Sequence, residues 1–338
     1  MNRYKGAIKV AGAGEAERCF YPFKVEPYGW GCSHNCLYCY ARSCNDFRGQ
    51  WDPDDPRIVD LYDSVATTFW SALTGEKATG QINRLIRARI PVRLGSFTDC
   101  YGAIEARYRN TRRIIQLLNA CHYPYLIMTK SDRILEDADL LNPDLCYVQF
   151  SLSTPHDALA LVMEPGAPPT SARLAALRQL GEAGFYTAAR INPFFPTHKD
   201  GHFSAGLASP EYRYFGWNLV DMCAEAKVRT IIAGFLRLSP FNVKWIKEAT
   251  GDDLRWLFAG GYENQSWHFS TGEKRYYYER TKARCDDLGM RFSVCYDGDD
   301  AYTEFQYLWA NPDDCCDGLG NVPAFKRNFA YLRKVFVK

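Results

Sequence analysis

The sequence predicts an α/β protein: a partial TIM-type barrel of six parallel βα units, followed by a C-terminal α+β extension. Three observations carry this reading. From about residue 90, short β-rich runs alternate with longer helical stretches, the pattern of parallel βα units. Polar residues close four of these runs in succession, which is where parallel barrels gather functional groups. Beyond residue 245 the alternation gives way to two helices, a strand and a loop rich in Asp, Asn and Gly. With 338 residues and 47% hydrophobic content, the chain has room for one large α/β domain plus an appendage, or for two ordinary domains. We divide it into an N-terminal segment (1–22), the barrel (23–245) and an extension (246–338) placed over the barrel mouth.

The first strand is expected just before Cys32, and PVRLGSFTD (91–99) reads as the second. The stretch 104–120 follows as one helix, because Ile104, Tyr108, Ile114, Ile115 and Leu118 recur near helical spacing. YLIMTKS (125–131), CYVQFSLST (146–154), FYTAARINPF (185–194) and RTIIAGFLR (229–237) complete the strands. Between them lie helices at 170–184, with Thr170 or Ser171 as N-cap and Gly184 as C-cap, and at 211–227. GHFSAGLASP (201–210) reads as a long surface loop. Thr98 and Asp99, Thr129 and Lys130, Ser151 and Ser153, and Arg190 and Asn192 end successive strands. Each has an ordinary use as a cap or turn former, but repetition over four strands favours a shared site.

Forty-one basic against 39 acidic residues give a formal charge of +2, so no broad cationic field demands a nucleic acid or a membrane. The opening residues hold no apolar stretch of signal-peptide kind, and no run of about 18 apolar residues spans a bilayer. We therefore expect a cytoplasmic protein without a membrane partner. Thirteen cysteines are many for that compartment, where thiols serve cores, metals or catalysis rather than disulfides.

Residues 29–42 read GWGCSHNCLYCYAR, which places Cys32, Cys36 and Cys39 in CxxxCxxC spacing directly after an expected strand. Such a loop wraps three thiolates around three irons. A [4Fe-4S] cluster normally takes four cysteines, so a trio leaves one iron for a small molecule. A zinc site completed by His34 or Cys44, or a loop of structural thiols, is the alternative; zinc fingers, however, favour paired CxxC motifs, and no second pair follows here.

The loop resembles that of the radical S-adenosylmethionine superfamily. That resemblance implies that S-adenosylmethionine chelates the open iron and is cleaved reductively to a 5′-deoxyadenosyl radical, which takes a hydrogen from the substrate. It also implies that Tyr38 meets the adenine. Further segments, SFTDCYGAIEARYRNTRRII, YLIMTKSDRI, VQFSLST and MEPGAPPTSARLAALRQLGEAGF, resemble the spore photoproduct lyase family over roughly residues 20–195. By this resemblance Thr98, Asp99, Lys130, Ser151 and Ser153 line the S-adenosylmethionine pocket, with Lys130 facing its carboxylate; Arg190 joins them as a cofactor-binding candidate. The lyases carry a hydrogen-donating cysteine where this sequence has Ser96, whose O–H bond is too strong for that task. Cys100, just beyond Asp99, is the candidate to replace it.

The resemblance points to a thymidine-derived nucleotide, in DNA, as substrate for lesion reversal or rearrangement of a hypermodified base. A one-electron donor such as flavodoxin or ferredoxin is implied. A target base would have to be flipped or single-stranded. Direct support for DNA is limited to Arg107, Arg109, Arg112 and Arg113 on one expected helix and Arg84, Arg87 and Arg89 before it, residues that solvated helix faces explain equally well. Cys285, Cys295, Cys315 and Cys316 form a second crowd with the donors for an auxiliary metal site. Radical modification of a peptide or small metabolite, and a non-catalytic zinc or iron–sulfur protein, are the competing functions.

Overall fold

A computed structural model describes residues 3–4, 6–10, 19, 21–46, 48–75, 80–195, 217–258, 260–263, 265–295 and 304–325. The loop expected over 201–210 lies outside them. Eight strands make the principal sheet: β1 (Ile8–Val10), β2 (Phe23–Val25), β3 (Val92–Leu94), β4 (Tyr125–Thr129), β5 (Cys146–Ser151), β6 (Thr187–Phe194), β7 (Thr230–Phe235) and β8 (Arg291–Val294). They lie in sequence order across the sheet, parallel from β2 to β8, with β1 antiparallel at the edge. Among the described residues the sheet stays open between β8 and β1, so the architecture is a partial barrel.

Parallel strands bury both faces, and the sequence supplies the matching runs: Leu126, Ile127, Tyr147, Val148 and Phe150 are all buried. Five expected strands are present at 92–94, 125–129, 146–151, 187–194 and 230–235. The first differs. The barrel strand is Phe23–Val25, whereas Tyr28–Gly29, next to the cysteine loop, pairs with Arg57–Val59 in a separate small sheet. A seventh parallel strand also appears, because β8 pairs with β7 along Thr230 to Ala233 although its sequence lies in the extension.

The helix expected over 104–120 is two, Glu105–Tyr108 and α1 (Asn110–Ala120), broken at Arg109, whose φ is +52°. Glu105 causes the break: its carboxylate accepts the backbone N–H groups of Thr111 (3.0 Å) and Arg112 (3.1 Å), which starts the second helix afresh. Thr170 opens α2 (Thr170–Glu182) but donates its hydroxyl to the Thr154 carbonyl instead of capping, while Gly184 takes the left-handed φ of +89° beyond the helix end. Outside the barrel run α3 (Asn218–Glu225), α4 (Pro240–Thr250) and α5 (Thr271–Asp287). No helix among the described residues is long and apolar enough to cross a membrane.

The end of the barrel region and the described part of the extension make contacts at different places. Asn242 of α4 braces the cysteine loop, whereas residues 311–325 close the opposite, amino ends of the strands. There Tyr147 donates to the Cys316 carbonyl (2.6 Å), Ala324 N–H to the Asp144 carbonyl (2.9 Å), and Arg291 pairs with Asp317 at 2.6 and 2.8 Å.

Candidate radical site

Three thiols converge in the loop between Tyr28–Gly29 and the helix Tyr40–Asp46. Burial raises the pKa of all three thiols; Cys39 adds to the rise at Cys32, and Cys32 and Cys39 add to it at Cys36. Burial, with Asp99 nearby, pushes Cys32 up to about 12; Cys36 and Cys39 also rise through burial, opposed by the Lys130 ammonium. A cation is what such thiols need to ionise. Two of the sulfurs already accept N–H bonds of the kind that thiolate ligands take: Asp99 N–H to Cys32 and Arg42 N–H to Cys39, each 3.4 Å. Three soft donors with positive neighbours therefore fit a three-cysteine iron–sulfur cluster.

The loop's shape is imposed from outside it. Leu37 N–H bonds to the Met163 carbonyl (2.9 Å), Gly166 N–H to the His34 carbonyl (3.1 Å), and Asn242 Nδ2 to the carbonyls of Leu37 (2.9 Å) and Cys39 (3.3 Å). Gly166 is obligatory, since a Cβ there would stand 1.8 Å from the Ser33 carbonyl oxygen. Arg42 lies 3.9 Å from the centre of the Trp245 ring and adds a further tie to α4.

Asp99 is the hub between this loop and β4. Its carboxylate accepts Tyr101 N–H (2.9 Å), Thr129 Oγ1 (2.7 Å) and Lys130 N–H (2.7 Å), and lies 3.1 Å from His34 Nε2. Burial alone would raise its pKa; His34, Thr129 and the Lys130 amide outweigh it and hold Asp99 down at about 2. His34 Nδ1 bonds the Gly166 carbonyl at 2.9 Å. Both ring nitrogens thus serve the frame, and Cys44 is exposed on the far side of the loop helix, which leaves no fourth zinc ligand of the kind considered above.

A second buried carboxylate frames the other wall. Glu164, wholly enclosed, pairs with the equally enclosed Arg173, and its Oε1 takes the hydroxyls of Tyr38 and Ser153, the latter at 2.9 Å. Arg173 also donates to the carbonyls of Pro168 (2.8 Å) and Ser151 (3.0 Å). Glu26 plays the same part beneath the turn after β3, accepting the amides of Ser96 (3.3 Å), Phe97 (2.9 Å) and Thr98 (3.3 Å) and the Thr98 hydroxyl (3.2 Å).

The structure thus sorts the residues read from sequence. Lys130 sits beside the thiols with its ammonium 5.7 Å from the centre of the Tyr38 ring, and Ser151 is partly exposed at the end of β5. Thr98, Asp99 and Ser153 commit their polar atoms to the frame. Ser96 accepts Arg93 Nη2 at 3.1 Å. Cys100 departs from its expected role: it is fully enclosed, its sulfur 3.9 Å from the Met128 carbonyl, and it presents no face to a substrate. Arg190 lies inside the barrel, bonded to Gln149 Oε1 (3.0 Å), Cys295 Sγ (2.8 Å) and Cys316 Sγ (3.6 Å).

The four C-terminal cysteines do not assemble. Cys285 packs on the outer layer near Cys223 of α3, while Cys295 and Cys316 share Arg190 inside. Asp314, Cys315 and Cys316 do place three buried donor atoms within 4.8 Å of one another. Yet Asp314 already accepts Tyr21 OH (2.5 Å) and the amides of Cys316 (2.9 Å), Gly318 (2.8 Å) and Leu319 (2.8 Å), and a guanidinium faces the sulfurs where a metal cation would be repelled.

Four of the seven arginines considered for DNA are engaged: Arg109 with Glu136 (2.8 Å), Arg112 with Asp137 (2.6 Å), Arg87 with the Ala72 carbonyl (3.0 Å), and Arg89 with the His122 carbonyl. Sequence reading passed over Glu26, Arg173 and Asn242. For Glu26 a signal exists, a carboxylate inside the apolar run FKVEPYG; for Asn242, 203 residues from Cys39, none does.

No family model matches the chain. Uncharacterized protein ORF301 of Acidianus two-tailed virus is 28% identical over 183 residues, covering 50% of this chain and 55% of that protein. Uncharacterized protein Rv2578c of Mycobacterium tuberculosis (strain ATCC 25618 / H37Rv) is 30% identical over 187 residues, covering 53% and 52%. The radical SAM Nalpha-GlyT isomerase of Pseudomonas phage M6 is 27% identical over 283 residues, 81% of this chain and 53% of that one. The chain spans about half the length of these curated relatives. Among solved structures, a tyrosine-to-phenylalanine mutant of spore photoproduct lyase superposes with a TM-score of 0.62 at 15% identity, covering 87% of this chain and 81% of that one. A cysteine-to-alanine mutant of the lyase with dinucleoside spore photoproduct gives 0.58 at 15%, covering 82% and 77%. In its partial barrel and three-thiol loop the chain is similar to the radical S-adenosylmethionine enzymes of spore photoproduct lyase type.

Proposed function

We propose that this protein is a radical S-adenosylmethionine enzyme of lyase or isomerase type, acting on a thymidine-derived nucleotide. The observation that carries the reading is the trio Cys32, Cys36 and Cys39: three thiols within electrostatic reach of one another, Cys36 buried and the other two half-buried, in a loop fixed by Gly166, Asp99 and Asn242. They would hold a [4Fe-4S] cluster with one iron open to S-adenosylmethionine. When bound, this pair supplies one electron that splits the sulfonium carbon–sulfur bond, so that a 5′-deoxyadenosyl radical takes a hydrogen atom from the substrate.

The chain's own part is to position and to exclude water. Lys130 offers an ammonium beside the thiols for the carboxylate of the methionyl group. Ser151 and the backbone around Tyr38 and Ser153, fixed by Glu164 and Arg173, bound the neighbouring space. Asp99, held ionised, fixes the Thr129–Lys130 turn and directs an amide at Cys32. For the substrate, support comes from the dinucleoside bound by a lyase of like fold and from the isomerase name of the phage relative. A base within DNA would have to be extruded or single-stranded to reach the site. A low-potential one-electron donor of flavodoxin or ferredoxin type completes the reaction.

The test is turnover without air. Protein reconstituted with iron and sulfide, then given dithionite and S-adenosylmethionine, is expected to form 5′-deoxyadenosine and methionine; no 5′-deoxyadenosine would overturn the enzymatic reading. With thymidine-type substrates deuterated on the base or sugar, label is expected in 5′-deoxyadenosine. Label arriving only from a peptide or another metabolite would overturn the nucleotide reading alone.

A further inference from the structure

Gln149 and Arg190 lie on neighbouring parallel strands and meet in the barrel interior. On β5, Gln149 shares a face with Tyr147, whose hydroxyl reaches the Cys316 carbonyl, and with Ser151 at the strand's end. On β6, Arg190 stands opposite Ser151, and its carbonyl takes the N–H of Leu152 at 2.9 Å. Its guanidinium donates to Gln149 Oε1 (3.0 Å), Cys295 Sγ (2.8 Å) and Cys316 Sγ (3.6 Å). Solvent comes close to this level of the barrel, because Cys295 and Ser151 are partly exposed. The chain of β6 runs on to Phe195, whose ring lies 5.7 Å, centre to centre, from that of Tyr38 in the cysteine loop. Arg190 precedes that contact by five residues, about 16 Å of extended chain.

Two features fit this pair for a ligand rather than for packing. Gln149 is fully buried, and while its Oε1 serves Arg190, its Nε2 has no hydrogen-bond partner, which costs free energy that a purely structural residue has no reason to spend. Arg190 is almost wholly buried, yet among the described residues no carboxylate bonds or pairs with it; it holds one amide oxygen and two sulfurs, which are weak acceptors. Arg173, just as far from solvent, shows the ordinary solution in this same chain, with Glu164 as counter-charge and two carbonyls besides. What Gln149 and Arg190 leave over is N–H donors only, next to a full positive charge. The complement of that set is an acceptor that carries negative charge.

We propose that Arg190 and Gln149 form a subsite for an oxyanion carried by the substrate, a carboxylate or a phosphate. This rests on the radical reading above and narrows its substrate to an acidic one: a nucleotide with its phosphate, or a base that bears a carboxylate, rather than a neutral nucleoside. The separation along β6 sets the anionic group away from the cysteine loop, so it anchors the substrate and takes no part in the bond that breaks. Arg190 and Gln149 are binding residues. They serve the substrate, whereas Lys130, beside the thiols, serves the carboxylate of S-adenosylmethionine.

Equilibrium dialysis of anaerobically reconstituted protein against thymidine, thymidine 5′-monophosphate and 5-carboxy-2′-deoxyuridine tests the subsite. At least one of the two anionic probes is expected to bind roughly tenfold or more tighter than thymidine, the scale of a hydrogen bond to a charged group, and which one does so separates phosphate from carboxylate. The preference should vanish in Arg190→Gln. It should vanish equally in Gln149→Glu, which keeps the volume and gives the guanidinium a carboxylate of its own, so that a poorly folded Arg190→Gln does not decide the question. S-adenosylmethionine affinity should stay at the wild-type value in both variants. Anionic probes no tighter than thymidine, together with no protection of the wild type against heat by millimolar phosphate or acetate, would overturn the proposal. A preference that survives in Gln149→Glu would overturn it too, and loss of S-adenosylmethionine binding in either variant would assign Arg190 to the cofactor instead. Protection by phosphate or acetate that Gln149→Glu abolishes, without binding of any thymidine-type probe, would uphold the subsite and overturn the nucleotide reading. Absence of 5′-deoxyadenosine on turnover would overturn the radical reading and leave the binding result standing.

Discussion

Cys36→Ala is expected to abolish iron–sulfur assembly, and with it 5′-deoxyadenosine formation, by a factor above roughly 100, a loss of at least about 2.7 kcal/mol in transition-state terms. Cys36 is the middle ligand of the trio and a buried one, within electrostatic reach of both Cys32 and Cys39. Two remaining thiols leave two irons without protein ligands, and no other thiol of the loop is placed to substitute: Cys44 is exposed on the following helix. The fold should survive, since alanine fills most of the space of a small thiol and the loop is held by the backbone contacts of Leu37 and Gly166 and by the Asn242 side chain. Iron content, visible absorbance and chromatography of the nucleoside product measure the loss. Folded Cys36→Ala protein that retained the wild-type chromophore would remove the trio from the account.

Arg173→Ala is expected to destabilise the fold by about 3–5 kcal/mol, the usual cost of stranding one partner of a buried ion pair. Both Arg173 and Glu164 are fully enclosed. Removing the guanidinium leaves a carboxylate without its cation and frees the carbonyls of Pro168 and Ser151, which take 2.8 Å and 3.0 Å bonds from it. Burial already raises the Glu164 pKa, with Arg173 the chief opposing influence, so loss of Arg173 should drive Glu164 to the neutral acid. Glu164 also takes the hydroxyls of Tyr38 and Ser153, so the damage reaches the cysteine loop. Urea unfolding should show the full loss for Arg173→Ala and a clearly smaller one for the double variant Arg173→Met with Glu164→Gln, which strands no charge. Equal losses would mean that volume, not charge pairing, sets the cost.

The cysteine loop was legible because its spacing is local: three ligands within eight residues need no knowledge of the rest of the chain. The strands were legible from their apolar runs, and the order of polar strand ends brought Asp99, Lys130 and Ser153 into one neighbourhood. What the pattern hid was direction. A residue at a strand end is as well suited to fasten two elements as to face a ligand, and Thr98, Asp99 and Ser153 are fastened. Cys285 and Cys295, ten residues apart, lie on opposite sides of the sheet because one sits on the covering helix α5 and the other on the inward face after β8. Likewise nothing in the residues 311–325 says which end of the barrel they close. That depends on contacts with Tyr147 and Arg291, formed only when distant parts of the chain meet.

Quantifying metal and sulfide in anaerobically reconstituted wild-type protein tests the central claim most directly. A cluster on the trio requires about four irons and four acid-labile sulfides per chain, with an absorbance that bleaches on reduction. One zinc per chain without sulfide, or iron that stays bound after all three loop cysteines are replaced, would contradict it.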